Sequence, residues 1–196
     1  MGNRDDKYKL SGVIELDEGF FSTEIPENEK DTPLKRGRGS QQKTKVLVMA
    51  ESELVEGKTT KKGKHRKVGY LKMKTINDLK SDTITSLVQD SVCCESIINS
   101  DDSTSYVKLK SIVNQHYPQV IPKTEVGNVL PWVHIAISNA KRQMLDIYHH
   151  VKPSYLQNYL NEFCYKFNRR YFGEALFDRL IIASVNYKNQ FRGNYG

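Results

Sequence analysis

A chain of 196 residues is long enough for one compact domain with a buried core. Its net charge of +7 makes a polyanion the expected partner, nucleic acid before a membrane surface, and no apolar run reaches the roughly 18 residues that a membrane span needs. The amino terminus lacks an apolar secretory segment, and three cysteines (Cys93 and Cys94 adjacent, Cys164 remote) make neither a disulfide framework nor a zinc ribbon, so a reducing cytoplasm is expected.

Residues 12–17 read as a first strand, because the β-branched side chains of Val13 and Ile14 fill a pleated surface, and the run ends on Asp17. Residues 45–50 and 67–73 read as the second and third strands. The two connections are strongly basic. Lys35, Arg36, Arg38, Lys43 and Lys45 fall in residues 35–45, and Lys58, Lys61, Lys62, Lys64, Arg66 and Lys67, with His65, fall in residues 58–67. A helix is expected over 75–90 from the spacing of Ile76, Leu79, Ile84, Leu87 and Val88. Ser96-Ile97-Ile98-Asn99-Ser100-Asp101 is a fourth strand that again ends on a carboxylate, followed by a short helix over 104–113 and a strand-like Val120-Ile121. Pro131 suits the first turn of a helix running to Tyr148, whose end the pair His149-His150 would mark. Pro153 opens another, with Tyr155, Leu156, Tyr159, Leu160, Phe163, Cys164 and Phe167 as a buried stripe, and a last helix spans 173–185. The order predicts an α/β fold: a mixed sheet of about five strands flanked by helices, with a helical C-terminal part. Residues 1–9 form a leader, 10–185 the domain and 186–196 a tail.

Two strand-end aspartates far apart in sequence point to a shared cation, and hard oxygen ligands point to Mg²⁺ or Mn²⁺. Two carboxylates alone bind such an ion weakly, so a third oxygen donor is expected from the helix after Pro131. Asn139 fits, because asparagine disfavours helix interiors and its amide oxygen can ligate. Lys141 and Arg142 follow, where they could hold phosphate oxygens. His134 could touch a phosphate or a metal, but an early-helix histidine reads first as a packed or solvent-facing residue. Glu15 and Glu18 are assigned to the strand face opposite Asp17, in supporting or surface roles. Arg169 and Arg170 fit a DNA contact and a helix end equally well.

Several of these segments together resemble a known family. They are Glu15-Leu16-Asp17-Glu18, the spacing from Asp101 to Tyr106, the segment from His134 to Asn139 with Lys141-Arg142, and the tail from Tyr159-Leu160-Asn161-Glu162-Phe163 through Phe167-Asn168-Arg169-Arg170. From about Leu10 to Ile182 the chain is similar to the ISXO-like insertion-sequence transposases. The resemblance implies a ribonuclease-H-like core and an Asp-Asp-Glu catalytic set, replaced by Asp-Asp-Asn in several subgroups. Asp17 would then be the first acid, Asp101 the second, Asn139 the third ligand and Lys141 the accompanying base. Where relatives often carry glycine after the second acid, this chain has Asp102, which leaves a choice between Asp101 and Asp102; the spacing to Tyr106 favours Asp101. Larger members begin with a zinc ribbon and a helix-turn-helix, and nothing upstream of Leu10 could be one, so the chain reads as the catalytic part alone.

The implied activity is metal-dependent phosphoryl transfer with two Mg²⁺ or Mn²⁺ ions. It comprises hydrolysis at an element end, then strand transfer into target DNA. The expected partners are double-stranded DNA and further copies of the chain, in a prokaryotic cytoplasm at the nucleoid. Lys35, Arg36, Arg38, Lys61, Lys62, Lys64, Arg66, Lys67 and Arg142 are expected to meet phosphates, which position DNA without reading its sequence. The alternatives are a catalytically silent DNA-binding or oligomerisation remnant and a standalone nuclease.

Overall fold

Alternation of side chains along the first strands divides the core in two. The computed structural model describes residues 5–55, 66–120, 129–148 and 151–185. Strand β1 (Val13–Ser22) turns Ile14 and Leu16 to one face, where they pack with Leu47 and Met49 of β2 (Lys43–Leu54), Ile76 of β3 (Arg66–Ile76) and Ile84 and Val88 of helix α1 (Ser81–Ser91). Phe21, Val46, Val48, Leu71 and Met73 point to the other face. Helices α2 (Pro131–Ile147) and α3 (Pro153–Asn168) cover them. Both faces of the sheet are therefore buried, which is why Val46-Leu47-Val48-Met49-Ala50 is apolar throughout rather than alternating.

The sheet order is β3-β2-β1-β4-β5, where β4 is Ile97–Asp101 and β5 is Gln115–Gln119. β1, β2 and β3 form an antiparallel meander, and β4 and β5 add in parallel on the other side of β1. A mixed five-stranded sheet of this order, with helices on both faces, is ribonuclease-H-like. A last helix, α4 (Ala175–Val185), follows. Among the described residues no helix is long and apolar enough to cross a membrane.

The structure corrects several element boundaries. β1 does not stop at Asp17 but runs on to Ser22, because its antiparallel ladder with β2 continues through Ser22↔Lys43. The helix expected from residue 75 begins at Ser81, since Thr75 and Ile76 are still paired with Val46 and Lys45. Residues 104–111 wind as a 3₁₀ helix. The final strand is the polar segment Gln115–Gln119 rather than Val120-Ile121. Val120 is exposed, and Ile121 lies outside the described residues. An edge strand needs no apolar pattern and tolerates Pro118. His149 and His150 also lie outside the described residues.

Arg169 and Arg170 both make intramolecular contacts at the end of α3. The Arg169 guanidinium donates to Asp5 at 2.7 Å and stacks 3.8 Å from the Tyr165 ring. Arg170 donates to the carbonyls of Val68 and Phe167. Together they fasten the end of α3 to the amino-terminal segment and to the edge strand β3.

Candidate active site

The parallel pairing of β1 with β4 ends at Leu16↔Ser100. The next residues on the two strands are Asp17 and Asp101, which therefore emerge side by side on the face covered by α2. Asp101 closes its strand, whereas Asp17 stands in mid-strand, where β1 loses one neighbour and keeps the other. Glu18 joins them. One carboxylate oxygen from each of Asp17, Glu18 and Asp101 lies within 4.8 Å of the other two. The Asp17 Oδ1 also accepts the Glu18 backbone N–H at 2.7 Å. Glu18 was expected to play no direct part. Its backbone does face away from α2, yet it starts where the parallel partner stops, and its longer side chain meets the aspartates. Asp102, the alternative to Asp101, is exposed and outside the cluster.

Tyr106, from the 3₁₀ segment, is fully buried below the acids. Its phenol is pushed far up, first by burial and then by the charge of Glu18, Asp17 and Asp101. This accounts for the five-residue spacing from Asp101, which sets a buried ring under the cluster.

Helix α2 brings the remaining groups. Glu15 is two residues before Asp17, so it shares that residue's face, contrary to the expectation above. It is buried and accepts the backbone N–H groups of Trp132 at 2.7 Å and Val133 at 3.2 Å. Those donors belong to the first turn of α2, where amides lack helical partners and the helix dipole favours a carboxylate. Burial nevertheless raises the Glu15 carboxyl to about 7. Glu15 thus pins α2 to β1 beside the acids. Gly19 allows the close approach, since a Cβ there would fall 2.9 Å from the Phe21 ring and 3.4 Å from the Ile137 side chain of α2.

One turn into α2, His134 sets its Nδ1 3.6 Å from Asp17 Oδ2. Its Nε2 is buried and has no hydrogen-bond partner among the described residues. Burial lowers its pKa, and the Asp101 charge partly opposes this. Two turns further, Lys141 lines a cleft of about 600 Å³ with Asp17, Glu18, Lys43 and Tyr148. Its ammonium pKa is lowered by burial and by Lys43, against the pull of Asp17. Asn139, by contrast, is exposed. At 3.6 residues per turn it points about 140° around the helix from His134, whereas Lys141 points only about 20° away.

The basic residues divide by position. Lys35 and Arg36 are exposed just before Gly37, which lines the cleft, and Arg142 is exposed on α2. Arg66 and Lys67 sit at the other end of the sheet, opposite Leu54 and Glu53. That end lies six residues of β2, about 20 Å, from the partner of Asp17. There Arg66 donates to Ser52 and Lys67 pairs with Glu53 at 3.0 Å. Lys67 therefore stays away from the acids, whereas the Arg66 guanidinium reaches back along β2 to Ser52 and its charge is felt by Glu15. Lys58, Lys61, Lys62, Lys64 and His65 lie outside the described residues, as does the side chain of Arg38.

Among known families, the sequence model described as ISXO2-like transposase domain matches residues 9–168. No curated protein matches the chain.

Proposed function

This chain belongs to the ISXO2-like transposase domain family, and from that premise we propose that it is the catalytic domain of a DNA transposase, acting by metal-dependent cleavage at an element end and transfer of that strand to target DNA. The carboxylate cluster where β1 parts from β4 carries the reading.

The donor set fits a hard divalent cation. Three carboxylates with oxygens inside 4.8 Å would repel one another in isolation, and oxygen donors suit Mg²⁺ or Mn²⁺. Asp17 and Asp101 are the principal ligands, with Glu18 beside them. When bound, such ions activate a water or a DNA 3′-hydroxyl for attack at phosphorus and stabilise the departing oxygen. The chain's own residues position charge around that centre. Lys141 and Lys43 stand over the cleft next to Asp17, where a DNA phosphate would meet two ammonium groups. Lys35, Arg36 and Arg142 extend the cationic surface around it. Glu15 and Gly19 hold α2, and with it His134 and Lys141, at a fixed distance from the aspartates. No side chain need bond to the transferred group, because in-line displacement at phosphorus depends on placement and electrostatics. Double-stranded DNA is the proposed substrate, and transposition calls for more than one copy of the chain on it.

The test is incubation of the protein with a duplex carrying the element end, in Mn²⁺ or Mg²⁺, scored for nicked and joined strands. The wild-type chain is expected to yield both, and Asp17→Ala or Asp101→Ala neither. Cleavage by either variant at the wild-type level would reject the assignment. Nicking without joining would indicate a nuclease. Binding to DNA with no nicking and no stabilisation by metal would indicate a silent remnant.

A further inference from the structure

Building on the reading of Asp17 and Asp101 as a metal site, we infer that the donor which helix α2 adds to the carboxylates is the imidazole of His134, not the amide of Asn139. The approach of His134 Nδ1 to Asp17 Oδ2, at 3.6 Å, is too long for a good hydrogen bond. It is close to the separation of two ligands on one ion. Donors each about 2.1 Å from a cation, at tetrahedral or octahedral angles, lie about 3.0–3.5 Å apart. The ring stands beside Asp17, next to which Asp101 emerges from the neighbouring strand.

The helix supports the same choice. His134 and Lys141 are two turns apart and point in nearly the same direction, and Lys141 lies in the cleft with Asp17. Asn139 is exposed and aims well away from that line. Glu15, bonded to the amides of Trp132 and Val133, fixes the turn immediately before His134 and so sets the ring's depth. A site with one nitrogen among carboxylates differs in kind from an all-oxygen one. Imidazole moves preference from Mg²⁺ towards Mn²⁺ and Co²⁺.

The test uses the full chain with Mn²⁺ as the probe and reads binding rather than turnover. Pulsed electron paramagnetic resonance of the Mn²⁺-loaded wild-type protein is expected to show nitrogen hyperfine coupling that is absent in His134→Ala and intact in Asn139→Ala. Removing this donor is expected to weaken Mn²⁺ binding about tenfold or more, while Asn139→Ala changes it less than about twofold. His134→Glu is expected to restore affinity and shift preference back towards Mg²⁺. The inference is overturned if wild-type protein binds Mn²⁺ in an Asp17-dependent manner without nitrogen coupling, an outcome that leaves the acidic site standing. If Mn²⁺ does not bind, or binds equally well to Asp17→Ala, the acidic site itself fails and the role of His134 fails with it. Because the coupling is measured first on the wild-type chain, a poorly folding variant cannot mask the result.

Discussion

Asn168 offers the clearest measure of what holds the helical layer to the sheet. It ends α3 beside β3, an edge strand whose outer backbone groups have no strand to pair with. Its Oδ1 accepts the Leu71 N–H at 2.8 Å, and its Nδ2 donates to the Leu71 carbonyl and to the Tyr8 hydroxyl, both at 2.9 Å, and to Asp5 at 3.3 Å. One side-chain amide thus stands in for a missing strand while tying down the amino-terminal segment. Leu71 is fully buried, so Asn168→Ala strands a donor and an acceptor away from water. Each costs about 1–3 kcal/mol, and the expected loss is about 3–4 kcal/mol with the contacts to Tyr8 and Asp5 included. For a chain of this size, that corresponds to a fall in Tm of roughly 6–15 °C. Equilibrium urea unfolding of wild type and variant, followed by circular dichroism, measures it. Asn168→Asp should be no better, since it removes the donor and sets a second carboxylate beside Asp5. A loss below about 1 kcal/mol with an unchanged urea dependence would refute the argument, because water would then be replacing the amide at no cost.

Gly19→Ala should destabilise by about 1–3 kcal/mol and reduce DNA cleavage disproportionately, because the new methyl pushes against Phe21 and Ile137 and lifts α2 from the acids. A thermal melt paired with the cleavage assay checks this, and wild-type cleavage would count against the close approach. Glu51 accepts the N–H groups of Ser11 and Tyr70, but burial holds its carboxyl above the ordinary glutamate value of 4.5. The folded state therefore favours the protonated form, and the contribution to stability is complete below pH 4.5 and lost as pH rises through the raised value. Glu51→Gln should flatten that decline in unfolding measurements made at stepped pH, and parallel curves would contradict it. Thiol alkylation should modify exposed Cys94 readily and leave Cys164 untouched until the protein unfolds, because burial pushes the Cys164 thiol up to about 12. Mass spectrometry of the labelled native protein reads both sites.

Much of this architecture was legible from local chemistry. Pro131 and Pro153 mark true helix starts, and the stripe expected from Tyr155 to Phe167 packs on the sheet through Leu156, Leu160, Phe163 and Cys164, with Tyr159 and Phe167 partly buried against them, whereas Tyr155 in the first turn is exposed. Asp101 closes a buried strand because Ile97 and Ile98 are β-branched and nothing apolar follows them. What escaped depended on neighbours distant in sequence. β1 outlasts its apolar run because β2 continues to pair with Gly19, Phe20 and Phe21. β5 shows no apolar alternation because it sits at an edge. Glu18 enters the cluster only because β4 stops where it does, a register that no local pattern reveals. Asparagine's poor fit in a helix draws attention to Asn139, which is exposed, whereas helix angle groups His134 with Lys141. The basic segment after Glu53 carries strong charge, but the hairpin geometry holds Lys67 at the far end of the sheet against Glu53, while Arg66 reaches back only as far as Ser52. Arg169 and Arg170 fasten the end of α3, because Asp5 and the Val68 carbonyl, both remote in sequence, lie within their reach.

The most direct measurement of the central claim is a crystal of the protein grown with Mn²⁺, with the ion located by its anomalous scattering. The account requires a peak about 2.1–2.3 Å from carboxylate oxygens of both Asp17 and Asp101, on the side of β1 that faces α2. A peak bound elsewhere on the surface, or none at an Mn²⁺ concentration that supports DNA cleavage, would contradict it.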